Sequence, residues 1–318
     1  MAILVTGGAG FIGSHLLERL VKDGERPVCI ENFDNYYDPR IKRSNIAGLL
    51  SANAVELIEG DITDLELLVN MLKRYRIRTV FHLAARPGVR PSLEDPFIYE
   101  KVNGFGTLSV LEAARRTGVE RVLFASSSSV YGGNKKVPFS EDDRADQAIS
   151  PYGASKKAAE VYCYNYHHLY GLEVVVFRIF TAYGPRQRPE MAIHKFTAAI
   201  DSGREIVLYG DGTTGRDYTY VDDVVEGLVG GLRLKSGYEI INIGDSKVVL
   251  LKDLVTLIEK ALGKRAKVRY EPECPADLKT TFADISKAKR LLGYEPKVSI
   301  GEGIERFVRW YRNERGGL

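Results

Sequence analysis

The segment GGAGFIGSH, residues 7–15, follows a short apolar run and precedes a stretch with the apolar spacing of a helix. Its glycines fit two overlapping patterns, G-x-G-x-x-G from Gly8 and G-x-x-G-x-x-G from Gly7, which share Gly10 and Gly13. A glycine-rich turn between a strand and a helix lets backbone N–H groups approach a pyrophosphate at the helix N-terminus, where the helix dipole favours negative charge. The context of strand, glycines and helix therefore predicts a dinucleotide-binding turn.

An acidic residue, Glu31, stands 18 residues beyond Gly13, at the end of the second predicted strand. A carboxylate at that point accepts hydrogen bonds from both ribose hydroxyls and repels a 2′-phosphate, so we expect NAD rather than NADP. Three basic residues in the run 40–43 leave NADP open. Asp61, in GDITD, is a candidate for binding the adenine amino group, although an aspartate after a glycine is equally often a helix N-cap or a turn residue.

Apolar, β-branched runs alternate with helical patterns through the first half of the chain. The predicted strands are Ala2–Thr6, Val28–Glu31, Val55–Glu59, Thr79–Ala84, Arg121–Ser126 and Glu173–Arg178. The predicted helices include Ile12–Lys22, Leu65–Tyr75, Phe97–Thr117 and Pro151–Tyr170. This alternation predicts an α/β protein of Rossmann type, with a doubly wound parallel sheet, helices on both of its faces, and ligands bound beyond the carboxyl ends of the strands.

The regular pattern ends after Arg178, where prolines and glycines become frequent and the helical stretches shorten. We expect residues 1–180 to form the NAD-binding domain and residues 181–318 a smaller substrate-binding α/β domain. The run Tyr238–Gly244 has the composition of a strand, so we expect a segment around 216–246 to return to the first domain.

Charge and composition exclude several classes of protein. Lys+Arg number 45 and Asp+Glu 42, with 44% hydrophobic residues and a net charge of +3, which favours a globular protein without the basic field that nucleic acids or anionic membranes select. No apolar stretch approaches the ~20 residues of a membrane span, and no signal peptide follows Met1, so we expect a cytoplasmic protein. Cys29, Cys163 and Cys274 are odd in number and widely spaced, so we expect neither a disulfide framework nor a bound metal.

Tyr152 and Lys156, in YGASK, are four residues apart in a helical stretch and project from one face, about 6 Å apart at their Cβ atoms. A nearby ammonium favours the phenolate, so we expect a lowered pKa for Tyr152 and a general base usable near neutral pH. Such a pair also occurs by chance in a tyrosine-rich helix. Upstream, however, the hydroxyls of residues 126–129 end a predicted buried strand, where packing does not need them.

The glycine turn, SSSSVYG and YGASK occur in an order that resembles the extended short-chain dehydrogenase/reductase family, specifically its nucleotide-sugar branch. The resemblance spans nearly the whole chain and implies a triad of the Ser127 hydroxyl, the base Tyr152 and the orienting cation Lys156. Asn103, in KVNGFGTL, resembles a cofactor-side asparagine, the alternative being a solvated helix residue. The resemblance implies NAD contacts from Gly7, Gly10, Phe11, Ile12, Gly13, Glu31, Asn32, Asp61, Ile62, Leu83, Ala84, Ala85, Asn103, Tyr152 and Lys156.

Sugar 4,6-dehydratases of the same branch place an Asp-Glu or Thr-Glu pair beside the catalytic hydroxyl. Eliminating water across carbons 5 and 6 of the sugar requires an acid and a base at that place. This chain has Ser128 and Ser129 there, so we do not expect elimination.

ENFDNYYD, AARPGVRPSLEDP, TAYGPRQRPEMA and GRDYTYVDD are similar to segments of UDP-glucuronate 4-epimerases. By that resemblance Thr181 and Arg188 join the serines around a sugar carboxylate, and Arg216 binds the diphosphate. Ala276-Asp277 corresponds to a Gly-Asp pair in the family, and UDP-galactose epimerases carry an arginine where Cys274 stands. Arg86 and Arg90 are either substrate contacts or exposed loop charges. The implied substrate residues are Arg90, Ser127, Ser128, Ser129, Tyr152, Thr181, Tyr209, Arg188, Arg216 and Asp277.

The resemblance implies NAD-dependent 4-epimerisation of a UDP-sugar, with UDP-glucuronate converted to UDP-galacturonate through a transient 4-keto sugar. Epimerisation of UDP-glucose or UDP-N-acetylglucosamine, decarboxylation of UDP-glucuronate, and a cofactor-binding regulator without catalysis remain alternatives. The helices predicted over Phe97–Thr117 and Pro151–Tyr170 have more apolar surface than packing against one face of the sheet would bury. Because such helices pair into a four-helix interface in the family, we expect a homodimer.

Overall fold

A computed structural model of the chain describes residues 2–234, 237–272 and 278–314. The strands are β1 (Ile3–Thr6), β2 (Val28–Glu31), β3 (Glu56–Glu59), β4 (Thr79–His82), β5 (Arg121–Ser127), β6 (Glu173–Ile179), β7 (Thr181–Tyr183), β8 (Glu205–Tyr209), β9 (Gly215–Arg216), β10 (Tyr218–Tyr220), β11 (Tyr238–Ile243), β12 (Val249–Leu250), β13 (Lys267–Glu271) and β14 (Thr280–Thr281). The α-helices are α1 (Phe11–Lys22), α2 (Pro39–Ser51), α3 (Leu65–Arg74), α4 (Pro91–Glu94), α5 (Pro96–Tyr99), α6 (Gly106–Thr117), α7 (Pro151–Tyr170), α8 (Ala192–Asp201), α9 (Val221–Gly230), α10 (Leu251–Leu262), α11 (Ser286–Leu292) and α12 (Ile300–Glu314).

Seven strands form the central sheet in the order β3-β2-β1-β4-β5-β6-β11, and every neighbouring pair is parallel. The chain reverses its direction of travel across the sheet between β1 and β4, so the loops after these strands diverge and leave a crevice at the carboxyl edge. The doubly wound parallel sheet predicted from the sequence is confirmed.

Both faces of the sheet are buried, as its continuous apolar strands require. Successive side chains of one strand join different cores: Leu4 packs with residues of α3, α6 and α7, whereas Val5 packs with residues of α1 and α9. Helices on both faces leave the carboxyl edge as the open side of the sheet, which is where the polar strand ends lie.

The smaller α/β part of the chain contains short sheets and helices that extend beyond this edge. β8 and β13 pair in parallel, β9 lies between β12 and β14, and β7 pairs with β10. α8, α10 and α12 pack together beside them. β11 leaves this part and pairs with β6 in the central sheet, so the chain crosses between the two parts more than once.

The helix predicted over Phe97–Thr117 is wrong as a single helix. The structure has α5, then a π-helical turn over Glu100–Phe105, then α6. A π-turn accommodates an extra residue, which shifts the helical periodicity that the sequence pattern assumes to be constant. The sequence patterns also identified no helix at α2, whose buried residues within the helix are Lys42 and Ile46, too few to mark an apolar face.

None of the described helices is long and apolar enough to cross a membrane. In the same described ranges, no three His, Cys, Asp or Glu side chains are grouped so that they could hold a metal ion.

A buried ion pair joins the helix α7 to the middle of the sheet. The Glu160 carboxylate accepts hydrogen bonds from Arg178 Nε at 3.0 Å and Nη2 at 2.9 Å, and from Ser126 Oγ at 2.6 Å. The two charged side chains are 1% and 2% exposed. Because Ser126 lies in β5 and Arg178 in β6, one carboxylate ties α7 to both strands.

Replacing Glu160 by methionine is expected to lower the free energy of unfolding by about 3–5 kcal/mol, since it leaves a guanidinium buried without its acid. Urea denaturation measures the change. The double variant Glu160→Met/Arg178→Met should recover part of the loss. Glu205→Ala breaks the exposed pair with Arg269 and should cost less than about 1 kcal/mol. Equal losses at the two acids would contradict this account.

Candidate active site

Two adjoining cavities lie at the carboxyl edge of the central sheet. The first has a volume of about 380 Å³ and the second about 350 Å³. They share a wall formed by Tyr36, Gly88, Val89, Arg188 and Met191. The first cavity lies against the sheet edge and the second against the smaller part of the chain, so a ligand with two ends can occupy both.

Most of the residues predicted for the site line these cavities. The first cavity is lined by Gly7, Gly10, Phe11, Ile12, Gly13, Glu31, Asn32, Asp61, Ile62, Leu83, Ala84, Ala85, Ser127, Ser128, Ser129, Tyr152, Lys156, Thr181 and Arg188. The second is lined by Arg90, Tyr209 and Arg216, together with Arg188. Asp277, with Cys274 and Ala276, lies outside the described residues.

The glycine turn brings α1 close to the end of β1. A Cβ added at Gly13 would collide with the carbonyl oxygen of Gly7, so the first turn of α1 can approach the loop only with glycine at this position. Gly7 and Gly13 both line the first cavity. No side chain at these two glycines therefore separates the N-terminus of α1 from the cavity, as binding of a pyrophosphate requires.

Glu31 ends β2 in the wall of the first cavity. Its Oε1 accepts a hydrogen bond from Phe33 N at 3.2 Å and lies 3.5 Å from Lys42 Nζ. Burial raises the pKa of this carboxyl, and the Lys42 ammonium opposes the rise. Glu31 is thus held at the strand end by its own neighbours.

The basic residues that left NADP open each lie beside a carboxylate. Arg40 pairs with Asp38, Lys42 with Glu31, and Arg43 with Glu59 at 2.8 Å and 3.0 Å. A 2′-phosphate would have to compete with these acids for the cations. The arrangement therefore favours NAD, in agreement with the sequence.

Asp61 is a turn residue, one of the two roles that the sequence left open, and its carboxylate is held in place by its neighbours. Its Oδ1 accepts hydrogen bonds from Thr63 N and Oγ1, which closes a turn, and its Oδ2 accepts one from Asn32 Nδ2 at 2.9 Å. It also lines the first cavity. The turn fixes the carboxylate where it faces a ligand.

Ser127 and Tyr152 meet because β5 ends beside the start of α7. Ser150 caps α7 by accepting a hydrogen bond from Gly153 N, which places Tyr152 in the first turn. A Cβ added at Gly153 would lie 2.6 Å from the carbonyl oxygen of Ser129, so only glycine lets α7 approach the serine segment this closely. The Ser127 hydroxyl and the Tyr152 phenol line the same cavity, and the hydroxyl favours the ionised form of the phenol.

The prediction that Lys156 lowers the pKa of Tyr152 is wrong for this arrangement. Burial raises the pKa of Tyr152, while the Ser127 hydroxyl and the charge of Arg188 oppose the rise. The Lys156 ammonium instead donates a hydrogen bond to Ala125 O at 2.8 Å. The cation that favours the phenolate here is Arg188, which sequence spacing could not reveal because it lies 36 residues away along the chain.

Asn103 lines neither cavity in the part of the chain that the structure describes. The side chain is buried, with Oδ1 accepting a hydrogen bond from Arg86 N at 2.7 Å and Nδ2 lying 3.0 Å from both Arg86 O and Ser155 Oγ. Asn103 is therefore not the solvated helix residue that the sequence left as an alternative. Asn103 holds the backbone of Arg86, which itself lines the first cavity.

The second cavity has a cationic and aromatic lining. The Arg90 guanidinium lies 3.9 Å from the centre of the Tyr209 ring, so Arg90 is a cavity residue rather than an exposed loop charge. Lys195 and Lys279 add cations that sequence analysis missed. Isolated lysines on a helix and a strand end carry no signal in one sequence, so only the fold identifies them.

The chain matches the family model described as GDP-mannose 4,6 dehydratase over residues 4–307. The chain belongs to this family. A relative, the UDP-glucuronate 4-epimerase of Thermodesulfobacterium geofontis, is 44% identical over 96% of this chain and 95% of its own length.

Solved structures agree with this family assignment. The UDP-glucuronic acid 4-epimerase of Bacillus cereus, in complex with UDP-glucuronic acid and NAD, superimposes with a TM-score of 0.93 at 38% identity, covering 98% of this chain and 99% of that one. The UDP-glucose 4-epimerase of Thermotoga maritima, with UDP-glucose, gives a TM-score of 0.91 at 34% identity over 98% and 99% of the two chains.

The pKa of Lys156 gives a test of the site's geometry. Burial lowers this pKa from 10.5 to about 8, so between these pH values the unfolded chain binds more protons than the folded one. Stability should then rise with pH by up to about 1.4 kcal/mol per unit. Relative to the non-titrating variant Lys156→Met, the wild type should gain stability from pH 8 to pH 10 in denaturant titrations. A pH-independent difference between the two proteins would contradict the buried position of the ammonium.

Proposed function

We propose that this protein is an NAD-dependent UDP-sugar 4-epimerase that converts UDP-glucuronate to UDP-galacturonate through a transient 4-keto sugar. The observation that carries the proposal is the position of Arg188, which lines both cavities and shares the first with Tyr152. A guanidinium in the same cavity as the base supplies a partner for a sugar carboxylate next to the reacting carbon. The relatives named UDP-glucuronate 4-epimerase support the same substrate.

The residues of the first cavity fit NAD. The absence of side chains at Gly7 and Gly13 lets a pyrophosphate approach the backbone. Glu31 lines the cavity, where its carboxylate would accept hydrogen bonds from a ribose. NAD held by these residues would supply reversible hydride transfer at carbon 4 of the sugar.

Tyr152 acts as the general base and then as the general acid at the 4-hydroxyl. It takes the hydroxyl proton as the carbonyl forms and gives it back after the ring has turned over. The Ser127 hydroxyl and the charge of Arg188 both lower the pKa of the phenol and so favour the phenolate. Lys156, whose ammonium donates a hydrogen bond to Ala125 O, adds a buried cation to the lining of the same cavity.

A uronate substrate imposes an additional demand, because its 4-keto form is a β-keto acid. The bond from carbon 5 to the carboxylate breaks, releasing carbon dioxide, when that bond stands perpendicular to the plane of the carbonyl. Donors on Arg188, Thr181 and the serines of residues 127–129 can hold the carboxylate out of that alignment. Charge-assisted hydrogen bonds of this kind contribute roughly 1.5 to 3 kcal/mol each.

Arg188→Ala should weaken binding of UDP-glucuronate by at least about tenfold and leave binding of UDP-glucose nearly unchanged, because only the acidic sugar uses the guanidinium. Calorimetry on NAD-loaded protein measures both affinities. NMR of products after incubation with UDP-glucuronate, UDP-glucose and UDP-N-acetylglucosamine then identifies the reaction.

Two controls accompany this experiment. Tyr152→Phe should abolish epimerisation while still binding the nucleotide sugar. Equal losses of affinity for the acidic and the neutral sugar in Arg188→Ala would remove the uronate assignment, and a pentose product from the wild type would indicate decarboxylation instead.

We also infer that the protein forms a homodimer through α7 and the neighbouring segment 96–117. Val161 and Leu169 of α7 are 56% and 57% exposed, on the side of the helix opposite its buried residues, and Phe97 in α5 is 83% exposed. Large apolar side chains grouped on adjacent helices favour burial against a second copy.

Val161→Glu should shift the protein from dimer to monomer, since a charge in an apolar interface must be desolvated. Light scattering coupled to size-exclusion chromatography measures the mass. Tyr270→Glu is the matched control, because Tyr270 is 61% exposed but lies in β13, outside the proposed interface. A wild-type monomer, or dissociation in both variants, would overturn the proposal.

Residues 1–180, with the returning segment around 216–246, would hold NAD in this scheme, and residues 181–318 the nucleotide sugar. A cytoplasmic location also fits the thiols of Cys29 and Cys163, which are free and buried. Proteins of oxidising compartments commonly pair such cysteines in disulfides.

A further inference from the structure

Two tight turns in tandem carry Arg188 into the cavity wall. In the first, Gln187 N donates a hydrogen bond to Gly184 O at 3.1 Å, and in the second Met191 N donates one to Arg188 O at 3.2 Å. Proline occupies the second position of each four-residue turn, where its fixed φ is favourable. The third position is charged in both: Arg186, with φ of 63°, and Glu190.

The first turn is anchored to the central sheet's helices. Arg186 donates to both carboxylate oxygens of Glu18 in α1, at 2.9 Å and 2.5 Å, and to Asn45 O in α2 at 3.2 Å. Between the turns, Gln187 is buried and its Nε2 donates to Ala182 O at 3.1 Å. The backbone that precedes Arg188 is therefore held from two sides.

The second turn returns Glu190 to the side chain of Arg188. Arg188 Nε donates a hydrogen bond to Glu190 Oε1 at 2.6 Å. In the described part of the chain Glu190 lines the second cavity but not the first, whereas Arg188 lines both. The Glu190 carboxylate therefore contacts Nε of the Arg188 guanidinium on the side of the second cavity. This hydrogen bond engages Nε and leaves the terminal Nη1 and Nη2 groups of Arg188 for a bidentate partner in the cavities that Arg188 lines.

We propose that Glu190 is a positioning residue for recognition of an acidic sugar: it orients the Arg188 guanidinium so that its terminal amino groups meet the sugar carboxylate. The inference rests on the proposed function, since it concerns the substrate of the same site. A long arginine side chain has many rotamers. A fixed hydrogen-bond partner at Nε selects the rotamer in which the two terminal amino groups are directed at the sugar carboxylate. The hydrogen bond, more than the negative charge, performs this task, because the charge itself repels the sugar carboxylate.

The test measures affinities for UDP-glucuronate and UDP-glucose in NAD-loaded protein, by calorimetry in a Tyr152→Phe background that prevents turnover. Glu190→Ala should reduce the preference for the acidic sugar by about tenfold through weaker UDP-glucuronate binding alone. Glu190→Gln keeps an oxygen acceptor for Nε and should stay within about threefold of the parent. Asp146→Ala removes the acid of a second pair with the same spacing, Arg144 and Asp146 on an exposed loop, and should change neither affinity.

The outcomes separate this inference from the proposed function. If the parent protein shows no preference for the acidic sugar, the uronate assignment itself fails. If the parent shows the preference, Arg188→Ala removes it and Glu190→Ala retains it, only the role of Glu190 is overturned. A loss of affinity for both sugars in Glu190→Ala, or the same loss in Glu190→Gln as in Glu190→Ala, would also overturn it.

Discussion

The carboxylate of Glu160 determines how the parts of the site meet. It is buried in α7 one turn beyond Lys156 and accepts hydrogen bonds from Ser126 in β5 and from Arg178 in β6. Those two strands lead directly to Ser127 and to Thr181. A charge that cannot leave its partners without large cost fixes the register of helix against sheet. The hydroxyls and the base therefore meet at one place because of a contact that touches no ligand.

Patterns of residues that are close together in the chain were sufficient to predict the sheet and the cofactor side of the site. The β-branched runs predicted the six strands of the first half within two residues, and the glycine turn with Glu31 identified the nucleotide side, because each signal lies within one strand-turn-helix unit. The phenol and ammonium were found by their spacing and the hydroxyl of Ser127 by resemblance, and the fold brings all three to one cavity.

Contacts between distant segments could not be predicted in this way. The spacing of Tyr152 and Lys156 placed them on one face, yet the ammonium turns to Ala125 O, and the charge that opposes the raised pKa of the phenol comes from Arg188. The position of Asn103 follows from a π-turn that no periodicity predicts. These features depend on where chain segments meet in three dimensions. One guanidinium serves both the base and the proposed carboxylate, which links acid recognition to proton transfer.

Arg186 adopts a left-handed backbone that glycine or asparagine would enter more easily. A protein engineer seeking greater heat resistance would choose this position for replacement, since relieving such a conformation commonly stabilises a fold. The arginine side chain, however, fastens the segment to α1, the helix that begins at the cofactor turn. A glycine there would improve the local backbone while loosening the join between the two binding regions. The same substitution would then raise thermal stability and lower catalytic activity.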